Sequence, residues 1–343
     1  MGLTWQVLQP VEVDSLDRLA GSHPLSGFMQ SSFWAEFKSA EGYEVTRLGL
    51  KSGREFVGGA TLLRYEATGE PSFVLCPEGP VLDWEDPAGI KMALRALVEI
   101  AKGMPNTLGL RIEPHLPTPL PSVLRNWADA PTDLSPCDTL MLDLRLDETQ
   151  LLAKAHPKCR YNIHIAEVRG VEVSISRDLE LVHAFYDLLT ETSIRTGFFI
   201  EPLGFFLNLF SILFKSGAGD LFLAKHEGKL LAAILVVYFG RRATYLYGAS
   251  SSIDRNLMPA YALHRAAMRE ARQRGCIEYD FYGVDAFERR DHLYAGITRF
   301  KKQWGGTVVR RIGARDYVFY DRLADLIVDR LTKCEAEASE APR

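Results

Sequence analysis

Residues 289–315 hold eight Lys or Arg side chains and a single acidic one, Asp291, within a chain whose 40 Lys+Arg and 44 Asp+Glu leave a formal net charge of -4. A basic cluster in an acidic chain suits one local polyanionic contact and gives no general attraction for nucleic acid or membranes. Lys301 and Lys302 lie at its middle, and Arg310 and Arg311 follow. The ordinary alternative is a solvated strand edge on which cations discourage pairing. Covalent catalysis has no signature: there is no Gly-x-Ser-x-Gly elbow and no obvious Cys–His arrangement. The five cysteines, Cys76, Cys137, Cys159, Cys276 and Cys334, form no CxxC pair, so neither a zinc site nor a disulfide framework is expected. His156, His164, His183 and His264 lack metal-ligand spacing, and no metal or other cofactor is expected. Tyr245 and Tyr247 fall on one face of a strand, with Leu246 on the other; they line a cleft together or are core.

The elements that must position these groups occur twice in the same order. In the first half, strands are expected at 44–50, 56–65 and 72–76, then a helix at 87–102 and a strand at 108–113. In the second half, strands are expected at 221–226, 230–239 and 243–250, then a helix from Pro259 to Arg274, stopped by Gly275, and a strand at 277–282. Antiparallel strands, a helix and a further strand, used twice, are the core pattern of an α/β fold of tandem duplicated GNAT-like domains. With 343 residues and 47% hydrophobic composition, the chain has material for two cores. The boundaries are placed at 1–147 for the N-terminal domain and 148–317 for the C-terminal domain. A C-terminal helix and tail, 318–343, are expected to pack back on the N-terminal domain.

Residues 252–259, just before the second long helix, contain no glycine and include Asp254. A coenzyme A pyrophosphate is normally received there by bare backbone amides of a glycine-rich turn, so that donor is disfavoured. The longest apolar stretches, 203–214 and 230–239, are shorter than the ~20 residues needed to span a bilayer. The N-terminus has neither a basic nor an apolar targeting region, and a cytoplasmic protein is expected.

An ordered series of motifs from about residue 30 to residue 306 resembles the Fem family (FemA, FemB, FemX). It comprises Gln30, Trp34 and Lys38; Gly79-Pro80-Val81; Glu113-Pro114, where the family more often has Asp; Lys158, Arg160, Ala166 and Gly170-Val171; Thr192, Arg195 and Phe198; Tyr247-Gly248; and Phe300-Lys301 with Gly305-Gly306. No single motif is specific, whereas their order and spacing are. Two departures stand out. Glu201-Pro202 occupies a place where many relatives carry a basic substrate-binding residue, and no long charged heptad segment occurs, which implies the shorter FemX-type architecture.

The resemblance implies an aminoacyltransferase that moves an amino acid from aminoacyl-tRNA onto the stem peptide of a peptidoglycan precursor, UDP-linked or lipid-linked, for cell-wall cross-bridges. Such a transfer needs a neutral amine, a fixed approach to the ester carbonyl and a positive group where the oxyanion develops. Lys301, with Phe300, is the expected catalytic pair. Lys38, Trp34, Glu113, Arg195 and Tyr247 are expected to hold the precursor, with Glu113 accepting a proton from the amine or orienting it. Lys302, Arg310 and Arg311 are expected to hold the tRNA. The alternatives are a coenzyme A-dependent N-acyltransferase of polysaccharide synthesis and a non-catalytic module that kept the fold. The helix at 203–214, rich in Phe205, Phe206, Phe210 and Phe214, is expected to be core; its competing role is peripheral membrane contact.

Overall fold

The computed structural model describes residues 2–65, 70–289, 295–324, 326 and 327. Strands β1 (Leu3–Val7), β2 (Tyr43–Ser52), β3 (Glu55–Tyr65), β4 (Ser72–Cys76), β5 (Thr107–Ile112) and β6 (Ala128–Asp129) belong to a first sheet. A second sheet holds β7 (Asp138–Asp143), β8 (Glu172–Ser176), β9 (Gly219–His226), β10 (Lys229–Phe239), β11 (Arg242–Ser250), β12 (Glu278–Gly283) and β13 (Thr307–Arg310), and β14 (Arg315–Val318) returns to the first. The helices are α1 (Val13–Ser22), α2 (Ser32–Ala40), α3 (Pro87–Gly103), α4 (Glu148–Lys154), α5 (Pro157–Val168), α6 (Leu181–Thr196), α7 (Leu203–Ser216), α8 (Pro259–Gln273) and α9 (Ala295–Lys302).

The expected repeat is present. An antiparallel run β2-β3-β4 leads through α3 to β5, which pairs parallel with β4; β9-β10-β11 leads through α8 to β12, parallel with β11. Both crossover helices begin with proline in the first turn, where no N–H is needed. Helix α8 buries Tyr261, Leu263, Ala267, Met268 and Ala271 on one face and turns Arg265 and Arg269 outward to Glu148 on α4.

The sheets do not divide at the boundaries expected from the sequence. Strand β7, which precedes residue 147, lies inside the second sheet between β12 and β13, and β14 pairs with β5 and β6 of the first. Each sheet thereby covers an edge that would otherwise stay open. Of the C-terminal segment, Phe319 N–H donates to Leu108 O, Asp321 pairs with Lys102, and Arg322 donates to Met104 O and Thr107 O, all on the first unit. The expected helix beyond residue 327 lies outside the described residues.

The two units are joined by a shared core. Phe33, Trp34 and Phe37 of α2 pack with Phe185, Phe206, Leu209 and Phe210 of α6 and α7. Helix α7 is therefore core, because Phe206 and Phe210 are completely buried. On the other side, Gly240 approaches Gly21 so closely that a Cβ would stand 1.9 Å from Gly21 O. Arg242 then reaches across to Ser26 O, Pro24 O and His115.

Candidate active site

Strands β11 and β12 pair only from Arg242↔Glu278 to Thr244↔Asp280 and then diverge. Both are irregular just past that point. Strand β11 carries a bulge, so that Val236 faces Tyr245 while Leu235 faces Tyr247 and Leu246 is left over. Strand β12 loses register with β7 between Asp280 and Gly283, where Tyr282 has φ 61°. A bulge re-aims the side chains on either side of it. Tyr245 consequently packs edge-on against His264 at 4.6 Å, on the α8 face, whereas Tyr247 packs against Phe206 at 5.1 Å, on the α7 face. The two tyrosines are on opposite faces, not on one as the alternation suggested.

Lys301 points into the gap between the diverging strands. Its Nζ donates to Gly283 O at 2.7 Å and lies 5.3 Å from the Tyr245 ring centroid, and the residue is 6% exposed. Burial pushes its pKa down to about 7, against the pull of the Asp280 carboxylate. Asp280 itself stays below the usual carboxylate range: burial opposes ionisation, but Arg311, Arg242 and the hydrogen bonds from Thr139 and Tyr282 N–H outweigh it. His264 stands behind Tyr245, bonded through Nδ1 to Tyr279 Oη at 2.9 Å. Burial and then the Lys301 charge push its pKa down to about 3, so it is neutral at physiological pH.

Phe300 turns to the α8 face, edge-on to Tyr261 at 5.1 Å. It lines an open cavity of about 470 Å³ with Lys158, Asn162, Ser250, Arg255, Pro259 and Gln303. A second cavity of about 550 Å³ shares Lys158 and Gln303 and adds His156, Arg289, Arg299 and Lys302. The two form one basic groove running past the N-terminus of α8. Lys158, Arg255 and Arg299 are exposed and have no ion-pair partner among the described residues. Arg299 belongs to the basic run at 289–315, whereas Lys158 and Arg255 were not singled out from the sequence as polyanion contacts; Lys158 follows the proline that starts α5, which was the available signal.

Of the expected polyanion contacts, Lys302 lies in this groove, bonded to Glu288. Arg310 lies outside it, 3.8 Å from Asp138 and stacked on Phe287. Arg311 is 6% exposed, 3.5 Å from Asp280 and bonded to Pro136 O. Its charge is used inside the molecule and is closed to a large ligand. Arg290 and Asp291 lie outside the described residues.

The opposite face of β11 carries a second group. The Lys38 ammonium lies 4.3 Å from the Tyr43 ring centroid and makes no ion pair among the described residues. Burial lowers its pKa, while Glu41 and Glu201 raise it. Glu201 also acts on Tyr247, whose pKa burial pushes up to about 12. Lys38, Tyr43, Glu201 and Tyr247 thus lie close enough to act on one another between α2 and β11. Trp34 is 7% exposed, edge-on to Phe28 at 5.0 Å; it does not face an open cleft.

Glu113 is elsewhere. It is 4% exposed, and its carboxylate accepts from Leu134 N–H at 2.7 Å and Ser135 N–H at 3.0 Å. Burial raises its pKa to about 7, although those N–H groups oppose the rise. It anchors the 134–135 backbone, and no open surface brings an amine to it. Arg195 is bonded to Ser250 O and Ser252 Oγ, both at 2.9 Å. It ties α6 to the end of β11 beside the groove and not to Lys38. The motif residue Gln30 has an architectural part: it donates to Pro77 O and accepts from Thr61 N–H, under the turn at Gly79.

The arrangement is a buried cation of near-neutral pKa at the fork of a sheet, with a basic groove on one face and a lysine–tyrosine–glutamate group on the other. Chemically it fits an acyl transfer in which a polyanionic donor and a separate acceptor meet between the strands. No group of His, Cys, Asp and Glu among the described residues is arranged to hold a metal.

Residues 11–120, 127–227 and 221–322 match the FemAB family. The chain is 24% identical to a lipid II:glycine glycyltransferase of Staphylococcus saprophyticus and 25% identical to one of Staphylococcus aureus strain COL. Each alignment covers 94% of this chain and 96% of the relative. Its fold is similar to the crystal structure of FemX, with a TM-score of 0.84 and 22% identity over 94% of this chain and 99% of that one. It is also similar, at TM-score 0.54 and 12% identity, to a tandem GNAT protein from the clavulanic acid pathway, over 92% of this chain and 98% of that one.

Proposed function

Because the chain belongs to the FemAB family, we propose that it is an aminoacyltransferase that extends the stem peptide of a lipid-linked peptidoglycan precursor, with aminoacyl-tRNA as the donor, at the cytoplasmic face of the membrane. The observation that carries this reading is the placement of Lys301 at the fork between β11 and β12, with a basic groove on one face and the Lys38–Tyr43 pair on the other. The relatives' activity on lipid II supports the class of acceptor. The turn before α8 supports the class of donor: its chain reversals are made by Asp254 and Met258, both left-handed non-glycine residues, so bare amides are not presented to a pyrophosphate as a glycine-rich turn would present them.

The groove, through Lys158, Arg255, Arg299 and Lys302, holds the phosphates of the tRNA acceptor end. On the other face Lys38 contacts an anionic group of the precursor, with Tyr247 and Tyr43 beside it. The neutral acceptor amine attacks the ester carbonyl carbon, the C–N bond forms, and the carbonyl electron pair moves onto oxygen. Lys301 spends one hydrogen on Gly283 O and has two left for that oxyanion. Collapse breaks the C–O bond to the ribose, whose oxygen leaves with the proton given up by the amine. The ester is already activated, so no enzyme-bound intermediate is needed.

Mass spectrometry of lipid-linked and nucleotide-linked precursors incubated with this protein and a mixture of charged tRNAs tests the proposal. A mass increase equal to one amino-acid residue, abolished by ribonuclease, is expected. Unmodified precursors, with acyl transfer only from acyl-coenzyme A, would overturn it.

A further inference from the structure

Among the described residues, one carboxylate acts on the charge of Lys301. Of the groups packed around its ammonium, Tyr245 on β11 presents a ring, His264 on α8 is neutral, and Gly283 on β12 offers a carbonyl. Asp280, also on β12, supplies the opposing charge. Asp285, the next buried acid along the chain, is taken up by Arg289 and by Phe287 N–H. Asp280 is 2% exposed and accepts from Thr139 Oγ1 and from Tyr282 N–H, the latter at 2.7 Å. Its other oxygen lies 3.5 Å from Arg311, and Arg242 adds a second positive charge.

The same carboxylate shapes the seat of the lysine. By bonding to the N–H two residues on, an Asp side chain redirects its own backbone. Here that N–H belongs to Tyr282, whose φ of 61° is rare for a bulky residue and persists only where neighbouring bonds fix it. The bent backbone delivers Gly283, whose carbonyl takes one hydrogen of Lys301. Thr139 and Arg311 hold the carboxylate from two other segments. A buried carboxylate–guanidinium pair adds little net stability over packed apolar side chains, so stability alone does not account for Asp280 beside the fork.

We infer that Asp280 is the positioning residue of Lys301: its carboxylate holds the Tyr282–Gly283 backbone against which the ammonium is seated, and its negative charge keeps that ammonium protonated in a buried site. The inference rests on the role given to Lys301 under Proposed function. Asp280 itself is closed to both substrates, with its oxygens engaged by Thr139, Tyr282 and Arg311.

Carbon NMR tests this without turnover. In the wild type the Asp280 ¹³Cγ resonance is expected to take a step near pH 7, where Lys301 loses its proton, and the step should be absent from Lys301→Met. The midpoint read at Lys301 ¹³Cε should fall by about one unit in Asp280→Asn, the lower end of what an opposite charge contributes. Asparagine keeps an oxygen for Tyr282 N–H, so this substitution removes the charge and leaves the turn. Above the Lys301 midpoint the gain in neutral amine and the loss of ammonium cancel, so transfer by Asp280→Asn should match the wild type near about pH 5 and be about tenfold lower at about pH 8. Thr139→Val removes a bond to the carboxylate but not its charge, and should leave the midpoint near 7.

No step in the wild type, a step that persists in Lys301→Met, a midpoint unmoved in Asp280→Asn, or an equal fall in Thr139→Val overturns the inference. So does transfer by Asp280→Asn lowered equally at every pH, the mark of a loosened structure alone. Should Asp280→Asn not fold, the comparison of wild type with Lys301→Met still decides. A wild type that shows the linked titration but transfers no amino acid from tRNA contradicts the proposed function alone.

Discussion

Lys301 must be charged to stabilise an oxyanion, yet it is held where charge is costly. Its pKa, pushed down to about 7 by burial, puts the loss of that charge inside the working range. The acceptor amine has an ordinary pKa near 10, and below that value its neutral, reactive fraction grows about tenfold with each unit of rising pH. The two trends oppose each other above pH 7. Single-turnover transfer rates are therefore expected to rise about tenfold per unit up to near pH 7 and to level off above it. A rise of unit slope continuing through pH 9 would show that the titration of Lys301 does not enter the rate. Glu113 gives a contrasting case, because its carboxyl is buried and anchors residues 134–135. Its folded pKa of about 7 lies above an unfolded value near 4.3, so its protonated form favours the fold below about pH 4 and that contribution is lost as pH rises to 7. Glu113→Gln is expected to raise the melting temperature at pH 8 and not at pH 4, with transfer changed less than threefold. A hundredfold loss of transfer would restore a catalytic role.

At the scale of elements, the repeated strand order and both crossover helices were legible, because Pro87, Pro259 and Gly275 punctuate long amphipathic runs. The fork itself was not. Tyr245-Leu246-Tyr247 has the alternation of a regular strand, and only the pairing with β10 reveals that Leu246 is extra. Arg310 and Arg311 misled for a related reason: adjacent positions at a strand end point to different environments, one outward beside Phe287 and the other inward to Asp280. The packing of the bulge supplies its own test. A Cβ on Gly248 would stand 2.1 Å from Tyr245 Oη, so Gly248→Ala must displace the ring that Lys301 faces. Transfer is expected to fall at least tenfold, with the melting temperature lowered by only a few degrees. Unchanged turnover would mean that the seat of Lys301 does not depend on Tyr245.

Across the whole molecule, the proposed function gives the two faces of the second sheet to different partners, and the first unit contributes Lys38 through a helix whose core is shared with α6 and α7. Only part of the groove was legible, because Arg299 and Lys302 lie in the basic run at 289–315 while Lys158 and Arg255 come from α5 and the 252–258 turn, far from it in sequence. Lys158→Glu/Arg299→Glu is expected to weaken tRNA binding at least tenfold and to reduce the magnitude of the slope of log K against log salt by about 1.4, as for two single-strand phosphate contacts. An unaltered slope would place the acceptor end on another surface. The most direct measurement follows a labelled amino acid from charged tRNA to the lipid-linked precursor, comparing the wild type with Lys301→Met. The account predicts transfer by the wild type and a loss of about 10²–10³-fold in the variant, at unchanged tRNA affinity and little-changed melting temperature. Near-normal turnover by Lys301→Met, or label reaching the precursor only from acyl-coenzyme A, would contradict it.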